Sequence, residues 1–282
     1  MKITVLVENT TGPASRGLRP EWGLSLLVDV AGRRILFDTG ASGVFATNAA
    51  KLGVDLRDVS IAVVSHHHSD HGGGLRRFFE INADTTVYLA PRPAGDCVYR
   101  PLPFFEKRVG LEPALLTEQA GRFKVVMTQQ ELLPGVHALT GIPRRYPVPS
   151  GNRYLYLKHS GKRVHDPFAH ELVLAIQEAD GFVVFSGCSH NGVLNMLARV
   201  DEAWPGARIK AVVGGLHLAG LPPLNRMADP RREVVALAHQ LLELGVERVV
   251  TGHCTGAPAY GVLGSVLGKR LEPLSTGWSF VV

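Results

Sequence analysis

Ser65-His66-His67-His68-Ser69-Asp70-His71-Gly72-Gly73-Gly74 follows directly on a mostly apolar run at residues 59–65. An apolar run of this kind that ends in polar residues predicts a buried strand whose carboxyl end enters a site. Successive residues of an extended chain point to opposite faces, so we expect His66 and His68 to project the same way. This stretch therefore predicts the edge of a sheet that carries a cluster of imidazoles.

The side chains of the stretch are also spaced like metal ligands. Neutral imidazole and carboxylate are ligands that zinc, iron and manganese accept, and the glycines let the backbone pass close to an ion. We expect His66 and His68 to bind one ion, and Asp70 and His71 to bind a second. His67 points away from them, so we expect it either to contact the ligand residues from behind or to lie at the surface. The alternative interpretation is a polar surface loop with a fortuitous run of histidines.

Composition limits the function classes. The chain has 282 residues, 45% hydrophobic and 20% charged, which predicts a folded protein, and we expect a single domain over residues 1–282. A formal charge of +5 is too mild to indicate nucleic-acid binding, and no apolar stretch approaches the roughly 18 residues of a membrane span. We expect a soluble, cytoplasmic protein. Three widely spaced cysteines without a CxxC pair argue against a disulfide framework or a structural zinc knuckle.

Strand and helix patterns alternate along most of the chain, which predicts an α/β or α+β domain with helix-covered sheets. Residues 24–30 and 35–37 are predicted to form a β-hairpin. Other predicted strands cover 3–7, 59–65, 86–90, 172–177, 182–185, 209–213 and 248–251, and predicted helices cover 43–53, 74–81, 192–200 and 231–244. Residues of about 91–170 are rich in proline and partly basic. We expect this segment to be an insert that acts as a substrate lid.

The motif His66-x-His68-x-Asp70-His71 resembles the signature of the metallo-β-lactamase superfamily. The resemblance implies an α+β fold, a four-layer αββα sandwich with a metal site along one edge of its two sheets. Further motifs resemble the branch of metal-dependent hydrolases labelled 7,8-dihydropterin-6-yl-methyl-4-(β-D-ribofuranosyl)aminobenzene 5′-phosphate synthases. These motifs are Glu8-Asn9, Glu21-Trp22-Gly23-Leu24-Ser25, Ser186-Gly187-Cys188-Ser189-His190, Gly214-Gly215-Leu216-His217 and Thr251-Gly252-His253-Cys254-Thr255-Gly256.

The resemblance also assigns roles to residues outside the histidine stretch. Asp38 matches an early aspartate that supports the metal loops, although an aspartate before Thr39-Gly40 is also ordinary turn chemistry. Cys188 stands where relatives place an aspartate that bridges two metals; it is either a thiolate ligand or a buried inert cysteine. His253 matches the last ligand of the family and is expected on the second ion.

Two later histidines complete the expected site. The usual third ligand of the first ion has no clear counterpart between His71 and Cys188, so we expect His190 to take that place. His217 follows a Gly-Gly pair at a predicted strand end; ligation, an interaction with a substrate anion and general acid catalysis all stay open for it.

Hydrolysis is the function expected from this site. A metal-held water has its pKa lowered from about 16 toward 7, and two divalent ions are expected, zinc first, with iron, manganese and nickel as alternatives. Asp70 would orient the water or accept its proton.

Arg144 and Arg145 are expected to bind a small anionic substrate such as a phosphoester, unless they are a solvated surface pair. The alternatives are a non-catalytic metal- or pterin-binding module and a metal-dependent nuclease of the same superfamily.

Overall fold

The computed structural model describes residues 1–12, 15, 17–221 and 226–282. Two seven-stranded sheets and one four-stranded sheet organise this part of the chain. The strands, numbered in chain order, are β1 Lys2–Val7, β2 Ser25–Val30, β3 Arg33–Phe37, β4 Ile61–Val63, β5 Val87–Leu89, β6 Asp96–Leu102, β7 Phe105–Arg108, β8 Phe123–Val125, β9 Gln129–Leu133, β10 Val136–Leu139, β11 Leu155–His159, β12 Lys162–His165, β13 Val173–Glu178, β14 Gly181–Ser186, β15 Ile209–Gly214, β16 Val249–Thr251, β17 Leu271–Pro273 and β18 Ser279–Val281.

The helices flank the two large sheets. They are α1 Val44–Lys51, α2 Ser69–Gly72, α3 Leu75–Ile81, α4 Pro113–Glu118, α5 Val193–Ala203, α6 Arg231–Glu243 and α7 Ala257–Leu267. Among the described residues, no helix is long and apolar enough to cross a membrane.

The first sheet has the order β18-β1-β2-β3-β4-β5-β8, and the second has the order β17-β16-β15-β14-β13-β10-β9. Strands β3, β4, β5 and β8 are parallel, as are β14, β15, β16 and β17. The carboxyl ends of parallel neighbours lie at the same edge of a sheet. The loops after β3 and β4 therefore lie together, as do those after β14, β15 and β16.

Three apolar layers hold the sandwich together. The inner faces of the two large sheets pack on each other through residues such as Phe37 and Phe185, whose ring centroids are 5.8 Å apart. The outer face of the first sheet packs against α1 and α3, and that of the second against α5, α6 and α7. The order helix, sheet, sheet, helix is the four-layer αββα sandwich implied by the sequence, and the fold prediction is confirmed.

The proline-rich segment at 91–170 is divided among all three sheets. Strand β8 extends the first sheet, and β9 and β10 extend the second. Only β6, β7, β11 and β12 form the separate four-stranded sheet, called here the small sheet. Part of the expected insert is thus built into the core of the fold, and the small sheet is the part that stands apart from it.

Most predicted elements lie within a few residues of the observed ones. The predicted helix at 192–200 is α5, which continues to Ala203, and the predicted hairpin is β2–β3. The carboxyl-terminal elements α7, β17 and β18 were not predicted. Glycines and small residues within α7 leave it almost without an amphipathic pattern, since both faces of this helix are apolar or small.

Candidate metal centre

Three histidine side chains form one group at the shared edge of the two large sheets. His66 and His68 follow β4, and His66 Nε2 lies 3.1 Å from His68 Nδ1. His190 follows β14, and its ring centroid is 4.8 Å from that of His66. All three side chains are buried, and His190 Nε2 has no hydrogen-bond partner in the part of the chain that the structure describes. The three predicted ligands of the first ion are therefore brought together.

A second group lies beside the first. His71 Nε2 lies 3.2 Å from His253 Nε2, and Asp70 Oδ2 lies 3.5 Å from His253 Nε2 and 4.0 Å from His71 Nε2. Asp70 and His71 belong to α2, whereas His253 follows β16 of the other large sheet. The three residues predicted for the second ion thus converge from both sheets.

Cys188 lies between the two groups. Its Sγ is 3.1 Å from His71 Nε2, and it lies within 4.8 Å of donor atoms of His66, His190 and His253. Burial raises the pKa of the thiol in the metal-free protein. Cys188 Sγ therefore lies within reach of both groups, and a metal ion bound by the thiol would displace its proton.

The tautomer of His253 is fixed by Asn9. The Asn9 side-chain amide donates through Nδ2 to the His253 backbone oxygen at 3.2 Å, so its oxygen faces the ring. That oxygen lies 3.0 Å from His253 Nδ1. Since an amide oxygen only accepts, Nδ1 carries the proton, and the lone pair of Nε2 points toward His71 and Asp70.

The same reasoning applies to His190. Asn152 Nδ2 donates to the His190 backbone oxygen at 2.8 Å, and Asn152 Oδ1 lies 3.0 Å from His190 Nδ1. Nδ1 must donate, so the buried Nε2 of His190 presents a lone pair to which none of the described residues donates.

Asp38 orients two further rings from the end of β3. Its carboxylate accepts Ser65 N at 2.7 Å, Ser65 Oγ at 2.8 Å and His71 Nδ1 at 2.7 Å. Because the Ser65 hydroxyl donates to Asp38, it accepts from His66 Nδ1, 2.9 Å away. The Nε2 atoms of His66 and His71 therefore also point into the centre. These contacts match the supporting role predicted for Asp38.

The arrangement fits metal ions. Several imidazole nitrogens, one thiol sulfur and one carboxylate oxygen converge at 3.1–4.0 Å in a buried space. A cation bound among them would accept their lone pairs together. Imidazole, carboxylate and thiolate are together the donor set of zinc and related transition metals. A ligand histidine in a metalloprotein is commonly held by a hydrogen bond at its other ring nitrogen. Four rings of the centre are held in this way, those of His66, His71, His190 and His253.

Without metal, His71 carries the compensating charge. Burial opposes protonation of His71, but the Asp38 and Asp70 carboxylates prevail and raise its pKa to about 9. In three neighbouring histidines burial outweighs the other influences. It lowers the pKa of His68 to about 3, and it lowers the pKa values of His66 and His190 well below their ordinary value.

These shifts predict how the stability of the metal-free protein depends on pH. Below about pH 6.5 the unfolded chain binds protons on His66, His68 and His190, while the native state does not. The free energy of unfolding therefore decreases by about 4 kcal/mol for each unit by which the pH falls, for the three histidines together. The contribution of protonated His71 is complete below about pH 6.5 and is lost as pH rises through 9. Urea denaturation of the metal-free protein should therefore show a stability maximum near pH 6.5. Equal stability at pH 5.5 and 6.5 would contradict this.

A cavity of about 460 Å³ opens over the centre. Its floor includes Cys188, His190 and His217, and its wall comes from the small sheet and neighbouring loops. Of the described residues that line it, several are aromatic, and Lys107 is the one with a positively charged side chain. The aromatic residues are Trp22, Tyr99, Phe105 and Tyr154.

His217 faces this cavity from the end of β15. Its backbone has φ +51°, a sparsely populated conformation for a residue with a side chain. Its ring lies 4.2 Å from the ring of His190, and neither of its ring nitrogens has a hydrogen-bond partner among the described residues. The geometry places His217 beside the centre and leaves both nitrogens free for a ligand.

Arg144 and Arg145 do not line this cavity. Arg144 donates to the backbone oxygen of Pro167 at 2.9 Å, and Arg145 pairs with Glu202 at 2.6 Å on the surface. The expectation that they bind substrate is not supported by their positions, because the loop that carries them turns toward α5. Of the two interpretations of this pair, the surface one agrees with the structure.

A third buried group, formed by Cys97, Asp166 and His170 beside His68, differs from the metal centre in its proton positions. His170 Nδ1 accepts the backbone N–H of His67 at 3.2 Å, so its proton lies on Nε2, which donates to Asp166 at 2.9 Å. Both nitrogens of His170 are therefore used. His67 is also satisfied, since its Nε2 donates to a backbone oxygen at 2.9 Å, and it is buried rather than on the surface.

Several residues of the site were missed by the sequence analysis. Asn152 and Lys107 belong to no recognised motif, and their roles depend on how the 91–170 segment folds back over the centre. Asn9 and Trp22 lie in recognised motifs, although no role was assigned to them. Trp22 donates its indole N–H to Asp70 Oδ2 at 3.1 Å and is 53% exposed at the cavity mouth. The motifs Glu8-Asn9 and Glu21-Trp22-Gly23 were the one signal that the sequence offered for these two residues.

Comparisons with known proteins agree with the fold. A family model described as the metallo-beta-lactamase superfamily matches residues 20–253. The chain is 29% identical to the 7,8-dihydropterin-6-methyl-4-(β-D-ribofuranosyl)-aminobenzene-5′-phosphate synthase of Methanocaldococcus jannaschii, over 98% of this chain and 95% of that protein. These matches bear out the resemblance seen in the sequence.

Solved structures give the same result. A protein described as a metal-dependent hydrolase of the beta-lactamase superfamily superposes with a TM-score of 0.83 at 31% identity, covering 100% of this chain and 99% of that chain. Zn²⁺-bound PqqB from Methylobacterium extorquens shares the fold, with a TM-score of 0.61 at 14% identity and complete coverage of both chains. Members of this superfamily bind metal ions, often zinc. The chain belongs to the metallo-β-lactamase superfamily.

Proposed function

We propose that the protein is a metal-dependent hydrolase that acts on a phosphoester or another anionic ester. The observation that carries the proposal is the buried convergence of imidazole lone pairs, one carboxylate and one thiol at the sheet edge. His66, His68 and His190 would hold one divalent ion, and Asp70, His71 and His253 a second. Cys188 would contact both, and zinc is the metal proposed.

Bound metal would supply hydroxide at neutral pH, since it lowers the pKa of water from about 16 to about 7. The chain's own groups would position that nucleophile. Burial opposes ionisation of Asp70, but His71 and His253 hold its pKa well below its usual range. Asp70 therefore stays ionised and is suited to accept a hydrogen bond from the attacking water, which orients it.

His217 is proposed to act on the leaving group. Its imidazole faces the cavity. In the described part of the chain, neither of its ring nitrogens has a protein partner, which distinguishes it from the other imidazoles of the centre. A protonated His217 would donate to the leaving oxygen as a general acid. This selects one of the three roles left open by the sequence.

The cavity favours a substrate with an aromatic part and an anionic part. Trp22, Tyr99, Phe105 and Tyr154 offer ring faces, and Lys107 offers a charge for a phosphate or carboxylate. The name of the archaeal relative describes a compound with a pterin ring, an aminobenzene ring and a phosphate. We therefore propose a pterin-related, anionic small molecule as substrate, with the small sheet acting as the lid.

Hydrolysis of bis(p-nitrophenyl) phosphate by the zinc-loaded protein tests this proposal. We expect turnover that a chelator removes and zinc restores. Lys107→Ala should raise KM for this anionic ester several-fold and leave KM for neutral p-nitrophenyl acetate unchanged. The double variant Arg144→Ala, Arg145→Ala is the matched control and should change neither KM.

The result that contradicts hydrolysis is a protein that binds two ions and turns over no phosphodiester, lactone or ester. That result would favour the second candidate, a synthase reaction like that named for the archaeal relative. The alignment over 98% of this chain is the observation that supports it. Binding of a dihydropterin without any conversion would instead favour the non-catalytic binding module.

A further inference from the structure

His190 and His253, the two proposed ligands that follow strands of the second large sheet, are held by the same arrangement of neighbours. A glutamate accepts the backbone N–H of each: Glu171 for His190 at 2.8 Å and Glu8 for His253 at 2.6 Å. An asparagine then forms two hydrogen bonds with the same histidine, one with ring Nδ1 and one with the backbone oxygen. This arrangement, called here a clamp, therefore occurs twice: Glu171 and Asn152 hold His190, and Glu8 and Asn9 hold His253.

The asparagine of each clamp determines which ring nitrogen is free. Neutral imidazole has two tautomers, and only the one protonated at Nδ1 presents an Nε2 lone pair to a metal. Because each amide donates to the backbone oxygen of its own histidine, it cannot turn its NH₂ toward the ring without losing that bond. Asn152 and Asn9 therefore select the ligating tautomer before any ion binds.

The two clamps act on different halves of the centre. Asn152 comes from the loop before β11 and contacts His190 of the first group. Asn9 follows β1 and contacts His253 of the second group, and it also accepts the backbone N–H of Gly23 at 3.2 Å. Among the described residues, no hydrogen bond joins Asn9 to Asn152.

We propose that Asn152 and Asn9 are positioning residues that set the metal affinity of the two halves separately. The inference rests on the proposed two-ion centre. Removal of a hydrogen-bond partner behind a ligand histidine typically weakens metal binding about 10–100-fold. Loss of Asn152 therefore weakens the ion of His66, His68 and His190, and loss of Asn9 weakens the ion of Asp70, His71 and His253.

Two measurements on Asn152→Leu and Asn9→Leu test the proposal. The first is zinc affinity by competition with a chromophoric chelator, in which each variant should retain one ion at wild-type affinity and bind the other about 10–100-fold more weakly. The second is ¹H–¹⁵N NMR of ¹⁵N-histidine-labelled, metal-free protein. The ring of His190 should leave the pure Nδ1–H tautomer only in Asn152→Leu, and that of His253 only in Asn9→Leu.

Asn82→Leu is the matched control. Asn82 is a buried amide that also grips backbone groups at several points, including the oxygens of Leu56 and Arg57, but it contacts no histidine. This variant should lower the melting temperature and leave both zinc affinities and the histidine tautomers unchanged. A general loss of stability is thereby separated from positioning.

Different failures are distinguishable. If the wild type binds two ions and both affinities stay within threefold in Asn152→Leu and Asn9→Leu, the inference is overturned and the proposed function stands. If either variant weakens both ions equally, the separate control of the two halves is overturned. A wild-type protein that binds no zinc would overturn the proposed function together with the inference.

Discussion

Replacing His68 by alanine is expected to lower phosphodiester turnover by at least about 10³-fold, which corresponds to about 4 kcal/mol of transition-state stabilisation. His68 Nδ1 lies 3.1 Å from His66 Nε2, and both are buried. In the proposed two-ion centre, loss of this ligand would leave the first ion to His66, His190 and Cys188. Metal bound there would then lower the pKa of water less, and less hydroxide would be available at neutral pH.

The measurement is steady-state hydrolysis of bis(p-nitrophenyl) phosphate in excess zinc. His239→Ala is the matched control, because His239 lies on an exposed position of α6 and should leave turnover unchanged. A His68→Ala protein with more than a tenth of wild-type turnover, at equal metal content, would show that this group of histidines does not activate the nucleophile.

The second large effect is expected for Asp38→Asn. Asp38 is fully buried and accepts three hydrogen bonds, two from Ser65 and one from His71. The amide retains one acceptor oxygen and turns an NH₂ toward existing donors. Breaking one partner of a buried charged pair typically costs 3–5 kcal/mol, and we expect about that loss in the unfolding free energy of the metal-free protein at pH 7.

Backbone strain does not contribute to this loss, because Asp38 has φ +59° and asparagine tolerates that region well. Asp29→Asn is the control: Asp29 pairs with Arg34 at the surface, where such pairs are worth less than about 1 kcal/mol. Urea denaturation measures both variants. If Asp38→Asn unfolds at the same urea concentration as Asp29→Asn, the buried network does not support the metal loops.

The fold and much of the centre could be predicted because their signals are local. The histidine stretch follows a short apolar strand, so its place at a sheet edge follows from strand geometry. Cys188, His190 and His253 each come directly after a strand of the other large sheet, within motifs that are contiguous in sequence. Parallel strands bring such loops to one edge, whatever lies between them.

The substrate side of the site could not be predicted in the same way. Lys107 and Asn152 reach the centre only because the small sheet folds over it, and pairing of β6 with β11 joins residues more than 50 positions apart. Arg144 and Arg145 looked suitable by charge, yet their loop packs toward α5. The charge and proline content of such a segment do not predict which part of the fold it packs against.

Whether the centre holds two ions is measured most directly by inductively coupled plasma mass spectrometry of the untagged, zinc-reconstituted protein, beside His190→Ala. We expect near two zinc ions per chain in the wild type and about one in the variant, because His190 belongs to only one of the two groups. A wild-type protein without tightly bound metal after reconstitution would contradict the assignment of the buried histidines as ligands, and with it the proposed hydrolase.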